Sequence, residues 1–495
     1  MRKSRCSFVR MERLAIASWA LGTLCSCAVG PDFKKPAAPT VSAYLAEPVP
    51  EQTVAVPGPA GSAQHFLSGP DVPQDWWQAF KSPQLDALVS EALTANPDVM
   101  AAQASLREAL EAAAAQRGNY WPQVQAGFTA SRQKNALGVL APTLGSGQAL
   151  FNLYTPQVSV SFVPDLFGGN RRQVESLLAS ADAARYELDA TYLTLTNNVI
   201  ASVVQMAGLQ EQLRQTERIV RLDTEALAVL RHSLSVGAIA EADVAAQETA
   251  LAQAEATVPP LQHAIAVQRH QLAVLTGQLP AQGPNPSLEL SELQLPTQIP
   301  LGLPSQLVAH RPDVLAAQAQ LHAATALVGV AVADMLPQLT ITGSDGSVAT
   351  LLSDLLKNGT GFWSAGASLT QTLFAGGSLL HRKRGAEAAM DAAGATYRST
   401  VLQAFQNVAD SLHALSTDAS VLEASARAAR AAENSYNIAR RQLDLGSVNY
   451  LYMVLAEQNY LQAQIALIVA QTNRLADTAA LYQALGGAPI PSSAP

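Results

Sequence analysis

Two patterns of apolar and polar positions run along this chain, and each occurs twice. The first is helical. Residues 170–236 form 67 positions without proline and with only Gly208 inside, and residues 378–445 form 68 without proline, holding Gly385 and Gly394. At ~1.5 Å per residue each predicts a helix of roughly 100 Å, far longer than a globular helix. A return helix follows each, to Gly277 and to Gly486, the first expected to break at Pro259-Pro260. The second pattern is strict alternation. Val124, Ala126, Phe128 and Ala130 alternate with polar or small residues, as do Val158, Val160 and Phe162. Leu339 and Ile341, then Ala365, Ala367 and Leu369, repeat this in the second half. The spacing predicts strand pairs at about 123–131 with 155–163 and about 338–346 with 364–372. Short alternating segments between polar loops are what outer-membrane strands look like. A half-buried sheet of a soluble domain satisfies the same alternation.

The two halves are copies. Asn96 to Leu106 (NPDVMAAQASL) matches Arg311 to Leu321 (RPDVLAAQAQL), identical at eight of eleven positions and offset by 215. The same offset lays Trp121-Pro122-Gln123-Val124 on Leu336-Pro337-Gln338-Leu339, and Leu166-Phe167-Gly168-Gly169 corresponds to Leu373-Phe374-Ala375-Gly376-Gly377. Gly237 pairs with Gly446 and Gly277 with Gly486 at offset 209. Prolines and glycines recurring in register mark an internal repeat. The first repeat is expected over 82–277, with Ser82-Pro83 starting a helix that restarts at Asn96-Pro97. A linker follows over 278–303, then the second repeat over 304–486, whose first helix spans about Pro304 to Asp334.

The N-terminus follows neither pattern. Five basic residues against Glu12 precede an apolar core from Leu14 to Leu24, too short for a bilayer and suited to a signal peptide over 1–26. Leu24-Cys25-Ser26-Cys27 has the form of a lipobox, which makes Cys27 the expected acylation site. Ala28 follows it, where an aspartate would resemble an inner-membrane retention signal; this favours the outer membrane. All three cysteines lie in this region, so the mature chain is expected to carry no disulfide and no thiol nucleophile. Beyond it no stretch reads as a transmembrane helix. From Pro31 to Pro73 nine prolines give an expected lipid-anchored, extended segment over 27–81. Residues 487–495 read as a disordered tail.

Composition narrows the class. Charged residues are 14% and aromatic residues 5%, so small aliphatic residues carry the 48% hydrophobic share and favour closely packed helices. The net charge of −8, about −12 once a leader of +4 is removed, argues against nucleic acid as a partner. Four strands cannot close a barrel, and open edges are forbidden in hydrocarbon. Three copies give twelve strands, the natural closure; two give eight, which geometry leaves open. Helices of such length must lie against equal neighbours.

Four stretches resemble the TolC-type outer membrane factor family, in its NodT-like lipoprotein branch, over essentially all of residues 27–487. They are Cys27 to Pro36 (CAVGPDFKKP), Trp76-Trp77 leading to Asn96-Pro97-Asp98, Pro304-Ser305 leading to Arg311-Pro312-Asp313, and Gly446 to Leu451 (GSVNYL) running to Glu457-Gln458. The resemblance implies a mainly α chain with a membrane β-barrel part. It further implies a homotrimer with a twelve-stranded barrel and a twelve-helix periplasmic tube. A periplasmic adaptor and an inner-membrane pump are the implied partners, besides outer-membrane lipid, and the implied role is that of a passive duct for efflux or secretion.

The expected functional residues lie where the long helices reverse. Val236-Gly237-Ala238 and Leu445-Gly446-Ser447 are suited to C-terminal glycine turns. The resemblance implies adaptor docking at these tips. It also places Leu451 and Leu455 near the periplasmic constriction; some relatives carry an aspartate at the second, so an apolar constriction is expected here. Core packing accounts equally for both leucines. Asp243 can supply charge nearby, although a solvated face suits it better. Arg171-Arg172 and His381 to Arg384 follow the strands and suit either lipid headgroups or a solvated helix start. No enzyme or cofactor motif is found: His263 and His270 lack a carboxylate at ligand spacing, and the paired glycines lack a phosphate-binding frame. The rival reading is a pore-free trimeric coiled-coil lipoprotein of the cell envelope, against which the four alternating strands count.

Overall fold

The computed structural model describes residues 28–41, 43–48, 50–69, 72–134, 150–286 and 288–487. The expected signal peptide, Cys27 and the tail from residue 488 lie outside the described residues. The chain divides into two compact units. One gathers the chain through Lys35 with Arg107–Ala183 and Gln318–Thr396; the other gathers Pro36–Leu106, Ala184–Ala317 and Tyr397 onward.

The first unit holds one antiparallel sheet in the order β2-β3-β5-β6, from β2 (Gln123–Lys134), β3 (Leu150–Phe162), β5 (Gln338–Ser347) and β6 (Gly361–Thr370). The first pair runs further toward its connecting loop than the alternation suggested, and β6 begins and ends earlier, because Arg132, Lys134 and Gly361 keep strand geometry without an alternating apolar partner. Register brings Val124 opposite Val160, Phe162 opposite Ile341 and Leu339 opposite Leu369. Side chains alternate between faces, so one face collects Val124, Phe128, Val160, Ile341, Trp363 and Leu369. The other collects Gln123, Gln125, Ser159, Ser161, Thr340, Thr342, Ser364 and Ser368. Arg132, Lys134 and Asp345 break the apolar face toward its loop end. Strands β2 and β6 each have one unpaired edge among the described residues.

Helices flank this sheet in the sequence. These are α1 (Pro83–Ala95), α2 (Pro97–Arg117), α3 (Gly169–Ser235) and α4 (Glu241–Leu275) in the first repeat. The second repeat has α5 (Pro304–His310), α6 (Pro312–Ala333), α7 (Ser378–Asp444) and α8 (Tyr450–Ala484). Both long helices, α3 and α7, have 67 residues. The Ser82 hydroxyl accepts from the Leu85 N–H at the start of α1, as the serine-proline pair predicts.

Two expectations need correction. Helix α4 passes through Pro259 and Pro260 unbroken. Both prolines and the carbonyl-bearing residues one turn earlier, Glu255 and Ala256, are exposed. Water therefore satisfies the carbonyls that lose their helical partners. Helix α6 is long and apolar enough, by length and composition, to cross a membrane, which no stretch of the mature chain was expected to be. Its alanines and valines pass unnoticed because none is bulky; 44% of its apolar window is packed inside the protein.

The second unit has the main core. Trp76, Phe80, Leu85, Val89, Leu272, Ile299, Leu475 and Tyr482 are buried together, and Trp76 stacks on Tyr482 with ring centroids 5.1 Å apart. A parallel ladder beside it joins β1 (His65–Ser68) to β4 (Gln298–Leu301). Four residues each, one inside the proline-rich stretch and one inside the supposed linker, gave no alternation to read. The duplication is expressed here in chemistry. Asn96 Nδ2 donates to the Leu275 carbonyl at 3.0 Å, and Arg311 donates to the Ala484 carbonyl at 2.7 Å. Two different side chains at matching positions thus bind the last turn of the matching return helix.

Candidate functional site: the helix tips and the sheet base

Both reversals at the helix tips use one backbone device. At the first, the Ala238 N–H donates to Ser233 O and the Gly237 N–H to Leu234 O, each at 2.9 Å. At the second, the Ser447 N–H donates to Gln442 O and the Gly446 N–H to Leu443 O, also at 2.9 Å. These are paired Schellman turns, with Gly237 at φ 74° and Gly446 at φ 67°. A Cβ added to either glycine would meet nothing within 4 Å. Val236 and Leu445, beside them, are exposed. The backbone is therefore open from outside at both tips.

The start of the return helices differs between repeats. Asn449 caps α8 by accepting from the Tyr452 N–H. In α4 the Asp243 carboxylate accepts from the Ala240 N–H, so its charge is engaged at the helix start, where it also complements the dipole. Leu451 is half-buried and Leu455, one turn on, is 51% exposed.

Above the tips lies a polar knot that the sequence pattern concealed. Asp223 of α3, 1% exposed, accepts from Gln247 of α4 at 3.0 Å and from Gln458 of α8. Glu457 of α8 is buried 3.9 Å from Arg218 of α3. Burial raises the Glu457 carboxyl pKa, against the lowering influence of Arg218 and Tyr436. A small apolar cluster of Leu227, Leu230 and Val244 lies nearer the first tip. Single polar residues on long amphipathic helices give no motif, so nothing short of the packing identifies this knot.

At the sheet base the residues after Cys27 are bound down. The Val29 N–H donates to Phe167 O at 3.0 Å, and Arg172 donates to Val29 O at 3.1 Å and to Asp32 at 2.6 Å. Arg172 also holds Glu175, which pairs with His322 at 2.9 Å, and Phe33 stacks on that imidazole. The Arg172 side chain is only 6% exposed. It therefore faces neither lipid headgroups nor solvent; its carboxylate partners hold its charge. Gly168, at φ 78°, leaves room for Ala28, whose Cα lies 2.6 Å from where a Cβ would sit.

The chain resembles known proteins along most of its length. Residues 88–278 and 303–487 match the family model described as outer membrane efflux protein. These two stretches fall on the two repeats. The pyoverdine export outer membrane protein OpmQ of Pseudomonas putida is 30% identical over 441 residues, covering 88% of this chain and 93% of its own. The toluene efflux pump outer membrane protein TtgC of Pseudomonas putida is 29% identical over 476 residues, covering 96% and 94%. Among solved structures, the outer-membrane channel OprN superposes with a TM-score of 0.80 at 28% identity, covering 93% of this chain and 99% of its own. The open-state MtrE outer membrane channel of Neisseria gonorrhoeae gives 0.79 at 26% identity, covering 93% and 98%. With both repeats matched and a relative at 30% identity along nearly the whole chain, this protein belongs to the outer membrane efflux protein family.

Proposed function

We propose that this chain is one subunit of a trimeric outer-membrane duct, which docks a periplasmic adaptor and through it an inner-membrane pump. The observation that carries the reading is the four-stranded sheet. Its apolar and polar faces and its two edges, unpaired among the described residues, suit one third of a closed barrel better than a complete element. Three such sheets joined edge to edge give twelve strands, with the glutamines, serines and threonines facing a wet lumen. Two long and two return helices per copy give a tube of twelve in the periplasm.

Within this duct the tips are the adaptor surface. At Gly237 and Gly446 the missing side chains let a partner's backbone come close, flanked by Val236, Ala238, Leu445 and Ser447. Leu451 and Leu455 form an apolar constriction beside the second tip. The exposure of Leu455 in one chain suits a residue that meets its copies near an axis, and a ring of leucines blocks flow by dewetting. Acyl chains on Cys27 hold the subunit at the outer membrane, while the barrel spans it. The pump, rather than the duct, selects the cargo.

The test is conductance of detergent-extracted trimers in planar bilayers. The wild-type channel is expected to conduct weakly, and Leu451→Ser with Leu455→Ser to raise single-channel conductance severalfold. Trimers that form no pore in either form would overturn the duct.

A further inference from the structure

Beneath the polar face of the sheet, the ends of α2 and α6 and the first turn of α3 leave a recess of about 430 Å³. That is the size of a small-molecule pocket, and every residue lining it belongs to the first unit. The strands reach it through Gln123, Ser161 and Gln338, all polar-face positions, so it opens on that side. Both repeats supply it at matching places: at offset 215, Asn119 corresponds to Asp334 and Gln123 to Gln338.

Its lining is rich in groups that bind. Gln116, Asn119, Asn170 and Gln173 set four carboxamides around it. Gln116 Nε2 donates to Asn170 Oδ1 at 2.7 Å, but Asn170 Nδ2 is buried and has no acceptor in the protein. A buried donor in that state is costly until something accepts from it. Two carboxylates line the recess and no cation does. Asp165 is already committed: it accepts from the Asn170 and Arg171 N–H groups and lies 3.5 Å from the Arg171 side chain. Asp334 is exposed and pairs with no cation among the described residues. At the rim Trp121, 74% exposed, offers its indole.

We propose that this recess is a resting site in the duct wall for a small organic cation that carries an aromatic ring and a hydrogen-bond acceptor. Asp334 takes the cationic end, Trp121 stacks on the ring, and the Asn170 amide donates to the acceptor. The recess is built within one copy. Its place on the lumen rests on the duct proposed above, in which the polar face lines the channel. Binding there is weak, since a conducting path needs sites that release what they hold.

Procainamide joins an ammonium, an amide carbonyl and an aminophenyl ring; p-aminobenzamide keeps the ring and the amide without the charge. Binding of each to the detergent-extracted full-length protein is measured by equilibrium dialysis. Two variants exchange a recess residue for the one that the other repeat carries: Asp334→Asn, after Asn119, and Trp121→Leu, after Leu336. Wild type is expected to bind one procainamide per chain and to hold p-aminobenzamide about tenfold more weakly. Asp334→Asn should lower procainamide affinity by the same factor and spare p-aminobenzamide, whereas Trp121→Leu should weaken both. A merely structural role for Asp334 would affect the two compounds alike. No saturable binding, equal binding of both compounds, or binding unaltered in both variants overturns the site. Procainamide is then applied to conducting Leu451→Ser, Leu455→Ser channels in planar bilayers. Brief interruptions of the current are expected, shortened by Asp334→Asn. Binding without interruption overturns the place on the lumen. Absence of any conductance overturns the duct, and the luminal place with it, while the binding result stands by itself.

Discussion

The same glycine turn closes helices at two kinds of place in this chain, and its surroundings decide what it does. Gly237 and Gly446 end the long helices with open space around them; Gly277 and Gly486 end the return helices in a packed interior. The Gly277 turn shares both hydrogen bonds of the tips, and the Gly486 turn the shorter-range one, its N–H donating to Gln483 O at 3.0 Å. The Gln278 N–H donates to Ala273 O at 2.8 Å and the Gly277 N–H to Val274 O at 3.0 Å, with φ at 74°. What differs is the neighbour. A Cβ on Gly277 would sit 2.3 Å from the Ala95 carbonyl oxygen, and one on Gly486 would sit 3.0 Å from the Arg311 Cγ. At the interior turns glycine serves packing and backbone together. At the tips only the backbone demands it.

Gly277→Ala is therefore the severest single-methyl change of the four. It adds a left-handed penalty of roughly 1–2 kcal/mol to overpacking of about 1–3 kcal/mol against a backbone atom that cannot rotate away. Thermal unfolding of the purified protein is expected to fall well below wild type. A melting temperature no lower than that of Gly237→Ala would mean that α1 yields freely at Ala95, and the contrast between the turns would vanish.

How much of this was legible in the sequence follows from periodicity. The long helices were readable almost to the residue, because a proline-free run between glycine turns leaves a helix few places to end. The strands were readable where apolar and polar residues alternate; their ends moved where charged residues continue the ladder. The tips were readable as turns because glycine in register marks both repeats. The knot of Asp223, Gln247 and Gln458 was not, since each is one polar residue among many on an exposed-looking helix. Arg172 was read as surface charge for the same reason. Its partners Val29 and Asp32 lie about 140 positions away, and no local pattern ties them together.

Half-buried acids extend the contrast between packed and open parts of the helices. Asp418 of α7 is pushed up to about 7, first by burial and then by Asp477 of α8 beside it, with Arg474 acting in the opposite direction. Arg474 is wholly buried and donates to Thr53 and to the Ser62 carbonyl. An acid whose pKa is raised on folding stabilises the fold fully only below its unfolded value, here near 3.8. That contribution is lost as pH rises through about 7. Wild-type melting temperature is expected to decline between about pH 4 and pH 7 through this group, and Asp418→Asn to flatten the decline. The variant melts higher than wild type at pH 8, and the two converge toward pH 4. An unchanged slope in the asparagine variant would assign the titration to another group.

The smallest change in stability is expected at the tips, and it is the most informative. Gly237→Ala and Gly446→Ala each meet the left-handed penalty alone, roughly 1–2 kcal/mol, confined to a turn whose unfolding frees few buried residues. Melting of the whole protein should shift by only a few degrees for either. If the open backbone is the adaptor's contact, a methyl group there obstructs docking out of proportion to its effect on folding. Cells carrying both substitutions should then accumulate the exported compound while the protein remains at wild-type level in the outer membrane. Gly277→Ala supplies the opposite case, with abundance and export falling together. Export that simply follows abundance in the tip variants would reduce Gly237 and Gly446 to turn formers, and the adaptor surface would have to be sought on the flanks of the helices instead.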